Sequence, residues 1–288
     1  MSKNLKPLIV IVGETASGKT EMSLNLAKIF KGEIISCDSR TIYKGMKVGT
    51  AAPSEGELDQ VEHHLLNCID PNSPISAADF KTMCKNEIDK INAKDKLPFM
   101  VGGSGLYVDS VIYDYDFSRK QDNQLREDLK KLNVRQLKEM VIKKGLTLPK
   151  NENNSRHLIS VVYNNGNAVN DKIIDNCLVI GLSVDKNELQ TRVENRISKM
   201  LDNGLEDEVR YLSEIYGWDI EPMKSIGYRE FRDYFEGKIN HTELRKILIK
   251  DTLNYAKRQR TWFKRNKNIH WIDKQSEAVD LITTFLNK

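Results

Sequence analysis

The chain has 288 residues, 39% of them hydrophobic, with 45 Lys and Arg against 41 Asp and Glu and a formal net charge of +4. That length supports one large core or a core plus a smaller lobe, and no apolar run approaches the roughly 18 residues needed to cross a bilayer, which argues against a membrane-spanning class. MSKNLKP lacks the apolar stretch of a secretion signal, and Cys37, Cys68, Cys84 and Cys177 are far apart with no C-x-x-C, so a cytoplasmic protein with reduced thiols and no zinc knuckle is expected.

The apolar run Leu8 to Val12 predicts a buried strand, and Glu21 to Ala27 has helical spacing. Between them stands GETASGKT: Gly13, Glu14, Thr15, Ala16, Ser17, Gly18, Lys19 and Thr20. This is G-x-x-x-x-G-K-[ST] in its required setting of strand, glycine loop and helix. The glycines let backbone N–H groups converge on an anion, and the helix adds its N-terminal dipole. Lys19 supplies a point charge for the outer phosphate and the Thr20 hydroxyl a ligand for Mg²⁺.

Three further runs, Glu33 to Cys37, Pro98 to Val101 and Cys177 to Leu182, read as buried parallel strands separated by helices. They end in Asp38-Ser-Arg-Thr41, in Gly102-Gly-Ser-Gly105 and in Ser183-Val-Asp185. In an open α/β sheet the carboxyl ends of the strands form the ligand crevice, so the four loops are expected to share one site. His63 and His64 are adjacent, but strand residues point to opposite sides and no third ligand lies at a metal spacing. From Tyr113 to about Asn170 the composition turns to charged helix formers, with Leu125, Leu129, Leu132, Leu137, Met140 and Val141 lining one face of a short helical pair. After Leu182 the pattern is almost wholly helical. The expected fold is α/β, a P-loop NTPase-like parallel sheet flanked by helices over 1–112 and 171–288, with an inserted helical lobe at 113–170 and a helical C-terminal region.

Two features stay open on the residues alone. Asp38, the one strand-end acid near the phosphate loop, suits a magnesium ligand of a nucleoside or nucleotide kinase, or a base that takes a proton from an attacking nucleophile, or a helix cap. The stretch Thr252 to Lys267 holds six Lys or Arg and no acid, with Tyr255, Trp262 and Phe263 interleaved. It suits a nucleic-acid surface or a solvated helix docked on the core.

GETASGKT, CDSRTIYKGMKVGTAAPS (37–54), EHHLLNCIDP (62–71), ISAADF (75–80), PFMVGGSGLYVDS (98–110), GLEDEV (204–209), KSIGYREF (224–231) and NYAKRQRTWFKRN (254–266) follow the order seen in bacterial tRNA dimethylallyltransferases, which the chain resembles over nearly its whole length. The resemblance implies transfer of a dimethylallyl group from dimethylallyl diphosphate to N6 of the adenosine 3′ of a tRNA anticodon, by a monomer using Mg²⁺. It implies that Arg192 and Arg196 join the phosphate loop in holding the diphosphate, and that Asp38 contacts the adenine N6. Ser39, Arg40, Thr41, Ser104, Arg156, Lys224, Gly227, Tyr228, Arg229, Lys257, Arg258 and Arg260 would contact the tRNA, with its anticodon arm held by Lys224 to Arg229 and the basic helix. Four residues depart from the family pattern: Glu14 stands for a proline, Thr41 for a glutamine, Ala52 for a lysine and Glu62 for a proline. Ile159 replaces a second arginine in the lobe. These bear on the acceptor more than the donor, and a non-catalytic tRNA-binding descendant is the third class of function.

Overall fold

The computed structural model describes residues 6–117, 123–149, 151–163 and 172–287. It divides into two compact units, Met1–Asp114 with Ile174–Lys288, and Tyr115–Ile173. The first unit is built on β1 (Leu8–Gly13), β2 (Gly32–Ser36), β3 (His63–His64), β4 (Leu97–Gly102), β5 (Cys177–Leu182) and β6 (Ile269–Ile272), which form one sheet in the order β3-β2-β4-β1-β5-β6. Every pairing is parallel. Both faces of such a sheet must be covered, and the unbroken burial of β1 and β5 follows from that.

The covering helices are α1 (Lys19–Ile29), α2 (Glu55–Leu58), α3 (Ala77–Ala93) and α4 (Gly105–Ile112) from the first segment. In the second unit α5 (Asn123–Lys130), α6 (Val134–Lys143) and α7 (Ser155–Tyr163) enclose a small core of Leu129, Leu137, Val141, Leu158 and Val162. Leu132 and Met140 pack against that core, whereas Leu125, expected on the same face, is exposed. The expected end of the lobe near Asn170 lies outside the described residues. The chain then adds α8 (Lys186–Asp202), α9 (Leu205–Tyr216), α10 (Phe231–Phe235), α11 (His241–Phe263) and α12 (Gln275–Leu286). One sheet face packs Ile9, Ile11, Leu178 and Ile180 against Leu24 and Leu26 of α1 and Ile282 of α12. Among the described residues no helix is long and apolar enough to cross a membrane, and the four cysteines are free.

Two edge strands escape the sequence pattern. β6 buries only Ile269 and Ile272 while His270 and Trp271 stay exposed, so it shows neither alternation nor an apolar run. β3 is two residues long. That strand also brings His64 to groups remote in sequence: its Nε2 lies 2.7 Å from Oε2 of the fully buried Glu33 and its Nδ1 3.2 Å from Glu87, with its near neighbour Glu62 at 3.9 Å. The third ligand that spacing fails to supply is thus assembled by tertiary contact, but Lys96 and Lys94 already pair with Glu33 at 2.6 and 3.1 Å. A carboxylate only accepts, so His64 donates from Nε2.

Burial alone would raise the Glu33 carboxyl, but hydrogen bonds from Lys96, His64 and Lys94 overcome it and hold the group down at about 2. An unfolded glutamate titrates near 4.3. The contribution of Glu33 is therefore present above that pH and is lost as the pH falls toward its folded value. Replacing Glu33 by Gln should cost about 1.5–3 kcal/mol at neutral pH. In urea melts the deficit should shrink as the pH falls from about 4 toward 2, and a deficit that stays constant over that interval would refute the assignment.

Candidate functional site

The phosphate loop leaves β1 and runs into α1 as its motif requires. Gly18, the N-cap of α1, sits at φ +90°, a conformation that costs glycine no Cβ clash. Lys19 folds back over the loop, donating to the Glu14 carbonyl at 2.6 Å and lying 3.4 Å from Ser17 Oγ. Burial, and then the charge of Arg196, lowers the Lys19 ammonium to about 8, against the opposing pull of Asp38 and Glu14. Thr20 is exposed in the first turn of α1.

Beyond β2, Asp38 Oδ1 accepts from the Arg40 N–H at 2.8 Å, capping a tight turn rather than a helix. Beyond β4, Ser104 Oγ accepts from the Ser39 N–H at 2.9 Å and ties the two strand-end loops together. These loops open on a cavity of about 300 Å³ lined by Thr15, Asp38, Arg40, Arg196, Lys224, Arg229, Tyr255 and Arg258, among others. Ser39 and Gly227 also line it. Arg196 reaches it from α8 and donates to the Thr50 carbonyl at 2.9 Å; burial lowers its guanidinium. The cavity is therefore strongly cationic with one carboxylate, Asp38, at its wall.

Other expected site residues lie elsewhere. Thr41 is buried with its hydroxyl 2.9 Å from Ser36 Oγ, and Tyr228 is fully buried with its hydroxyl donating to Glu208 at 2.7 Å, so neither presents a side chain to a macromolecule. Glu208 also accepts the N–H groups of Lys47, Val48 and Gly49 at 2.7–2.9 Å, holding the loop whose Thr50 meets Arg196. Arg192 pairs with Glu188 at 2.7 Å and only brushes the Ala16 carbonyl at 3.4 Å. Arg156 is exposed on α7 of the second unit. The loop after β5 is not part of the large cavity: Asp185 caps α8, while Leu182 and Ser183 line a smaller hollow with Glu14 and Arg260.

The basic stretch is helix α11, and its two faces differ. Lys257 and Arg258 are exposed. Arg260 instead forms a two-point pair with Glu14, one contact being 2.7 Å from Nε, and donates to the Val184 carbonyl at 2.9 Å. Arg260 is thus an internal partner of the phosphate loop, and the carboxylate of Glu14 is neutralised. The buried stripe Leu244, Leu248, Thr252, Ala256, Gln259 and Phe263 contains a residue that motif reading missed. Gln259 accepts from the Thr15 N–H at 2.8 Å and donates to the Gly103 carbonyl at 2.9 Å. A neutral amide at an apolar-stripe position was the available signal.

The chain is similar to known proteins over nearly its whole length. The IPP transferase family matches residues 41–266. The chain is 35% identical to a tRNA dimethylallyltransferase of Bacillus velezensis over 98% of its own length and 95% of that protein's. It is 38% identical to one from Alkaliphilus metalliredigens, covering 92% of this chain and 91% of the relative. The full-length tRNA isopentenylpyrophosphate transferase of Bacillus halodurans superimposes with a TM-score of 0.77 at 33% identity, covering 98% and 97% of the two chains. A eukaryotic dimethylallyltransferase acting on tRNA has the same fold, with a TM-score of 0.75 at 24% identity over 93% of this chain and 74% of the other.

Removing Arg260 leaves the Glu14 carboxylate buried and unpaired beside the phosphate loop. Arg260→Met should lower stability by about 3 kcal/mol, and Glu14→Ala combined with it should restore most of the loss. Thermal denaturation of the two single variants and the double variant measures this, and strict additivity would show that the pair does not act as a unit.

Proposed function

The chain belongs to the IPP transferase family, and from that premise we propose that it transfers a dimethylallyl group from dimethylallyl diphosphate to N6 of the adenosine 3′ of the anticodon in tRNA. The observation that carries this most directly is the cationic cavity, in which a phosphate loop, a half-buried arginine and a single carboxylate converge. In the transfer the allylic C1–O bond breaks and its electron pair leaves with the diphosphate. A C1–N6 bond forms, and the amine surrenders one proton. Lys19, Arg196 and the loop amides would stabilise the leaving charge. Asp38 would orient the amine and accept its proton.

The donor set also suits a divalent ion such as Mg²⁺, which typically takes one or two protein ligands and completes its shell with phosphate oxygens and water. The exposed Thr20 hydroxyl would hold it, and the ion would supply further neutralisation of the diphosphate. The tRNA would lie across Arg40, Lys224, Arg229, Lys257 and Arg258, whose charges meet backbone phosphates without reading sequence. β4 ends in Gly102-Gly103, not in the acid usual in ATP-hydrolysing relatives of this loop, which weighs against the kinase alternative.

Incubation with labelled dimethylallyl diphosphate, ATP and tRNA lacking the modification tests the proposal. Label in the adenosine beside the anticodon is expected. ADP formation, or binding of tRNA without label, would overturn it.

An adenine amine is a poor nucleophile because its lone pair is delocalised, so a carboxylate within reach helps the transition state more than the ground state. Asp38→Asn should lower single-turnover kcat by about 10²- to 10⁴-fold, with donor and tRNA affinities nearly unchanged. Near-normal turnover would mean that Asp38 only orients the base. Collapse of donor binding would move it to the metal site.

With Lys19 at about 8, donor binding should weaken as the pH rises through that value and the ammonium loses its proton. The donor KM should climb by up to about tenfold per pH unit above it. Lys19→Met should raise KM at neutral pH and flatten the profile. A wild-type KM that is level between pH 7 and 9.5 would exclude this role.

A further inference from the structure

α11 bonds the loops that follow β1, β4 and β5. Gln259 joins the phosphate loop after β1, through the Thr15 N–H, to the Gly-Gly loop after β4, through the Gly103 carbonyl. Tyr255, one turn earlier, lies beside Ser104 and Gln259, and Ser104 in turn holds the Ser39 N–H beside Asp38. Arg260 binds Glu14 and the carbonyl of Val184 after β5. Among the described residues Gln259 is the side chain that hydrogen-bonds both the donor loop and the Gly-Gly loop whose Ser104 holds the Asp38 turn. It is 6% exposed, and a Cβ on Gly103 would come within 2.2 Å of its amide nitrogen, so the amide fills a slot shaped for it.

The same helix turns Arg258 outward into the large cavity, beside Lys224, Arg229 and Arg40. A polyanion bound there pulls on the rigid body that carries Gln259. Resting on the transfer reaction above, we infer that Gln259 is a positioning residue that couples the two substrates: acceptor RNA on the outer face of α11 holds Gln259 more firmly in the seat it already occupies, and Gln259 sets the Thr15 amide and with it the phosphate loop for the diphosphate. Gln259 touches neither substrate. It acts through the main chain of two loops, and the coupling is reciprocal, the donor tightening the RNA by the same factor as the RNA tightens the donor.

The experiment measures binding of an unreactive thiolodiphosphate analogue of the donor by calorimetry, with and without an anticodon stem-loop RNA. It uses the full chain and its Gln259→Met and Trp262→Phe variants. Met keeps the volume of Gln and loses both hydrogen bonds. Trp262→Phe is the control for helix seating, since it removes the indole N–H bond to Asp109, 2.8 Å long, and leaves the Gln259 bridge intact.

In the wild type the stem-loop should tighten the analogue by roughly 5- to 150-fold, the usual range for coupled sites. In Gln259→Met that factor should fall to near unity, with RNA affinity in the absence of donor unchanged and donor KM raised more than kcat is lowered. Trp262→Phe should keep the wild-type factor even if its melting temperature drops as far. A wild type that transfers the prenyl group but shows no coupling, a Gln259→Met variant that couples normally, or a Trp262→Phe variant that loses coupling equally would each overturn the inference. A wild type that binds the RNA but transfers nothing would overturn the proposed reaction instead.

Discussion

The site depends on one contact, the seating of the polar side of α11 across the ends of the sheet. A parallel sheet delivers its strand ends to one edge but does not fix the loops beyond them, because loop backbone has no ladder in which to spend its hydrogen bonds. Here side chains spend them. Gln259 takes an N–H from one loop and gives to a carbonyl of the next, Arg260 holds a third, and Trp262 anchors the helix to Asp109 of α4. Each such bond is worth only about 1 kcal/mol net, but an orphaned buried partner costs more than the bond contributes. Geometry is therefore enforced more by the penalty of misalignment than by the strength of any single tie.

On that frame the charges are arranged for an anion. Lys19 and Arg196 are half-buried near one another, and both are pushed toward their neutral forms. The free protein thus holds two cations at a cost that a diphosphate between them relieves. Glu14, a carboxylate where the family resemblance implies a proline, would cancel this if it faced the loop. Its pairing with Arg260 prevents that, while its carbonyl holds Lys19. The departure is tolerated because the side chain and the carbonyl of one residue serve different partners.

How much of this was legible in the sequence follows from how local each feature is. The phosphate loop, four of the strands and the arrival of Asp38 at a strand end depend on neighbours in the chain, and apolar runs bounded by glycine carry them. Burial of polar side chains does not. Thr41 is expected at the tRNA from the family resemblance of its stretch, yet its hydroxyl lies against Ser36. Tyr228 sits in a basic, glycine-containing segment but is drawn inward by Glu208. The closest partner of His64 is 31 residues away, at Glu33. Gln259 was readable in principle, as the amide in a stripe of otherwise mostly apolar residues on α11.

The basic helix was open to two readings, a nucleic-acid surface or a helix docked on the core, and its two faces satisfy both. Chemistry supplies a reason for combining them. An allylic diphosphate whose leaving group is fully neutralised ionises whether or not its acceptor is present, and water then consumes the donor. A site whose phosphate loop is held more firmly when RNA loads the same helix limits that loss, because the leaving group is best stabilised once the amine is in place and water is excluded. Stability of the loop in the absence of RNA works against such a device. That gives a physical role to the uncharged amide of Gln259, which adds to the Glu14–Arg260 pair on the same loop and is weak enough by itself to respond to what α11 carries.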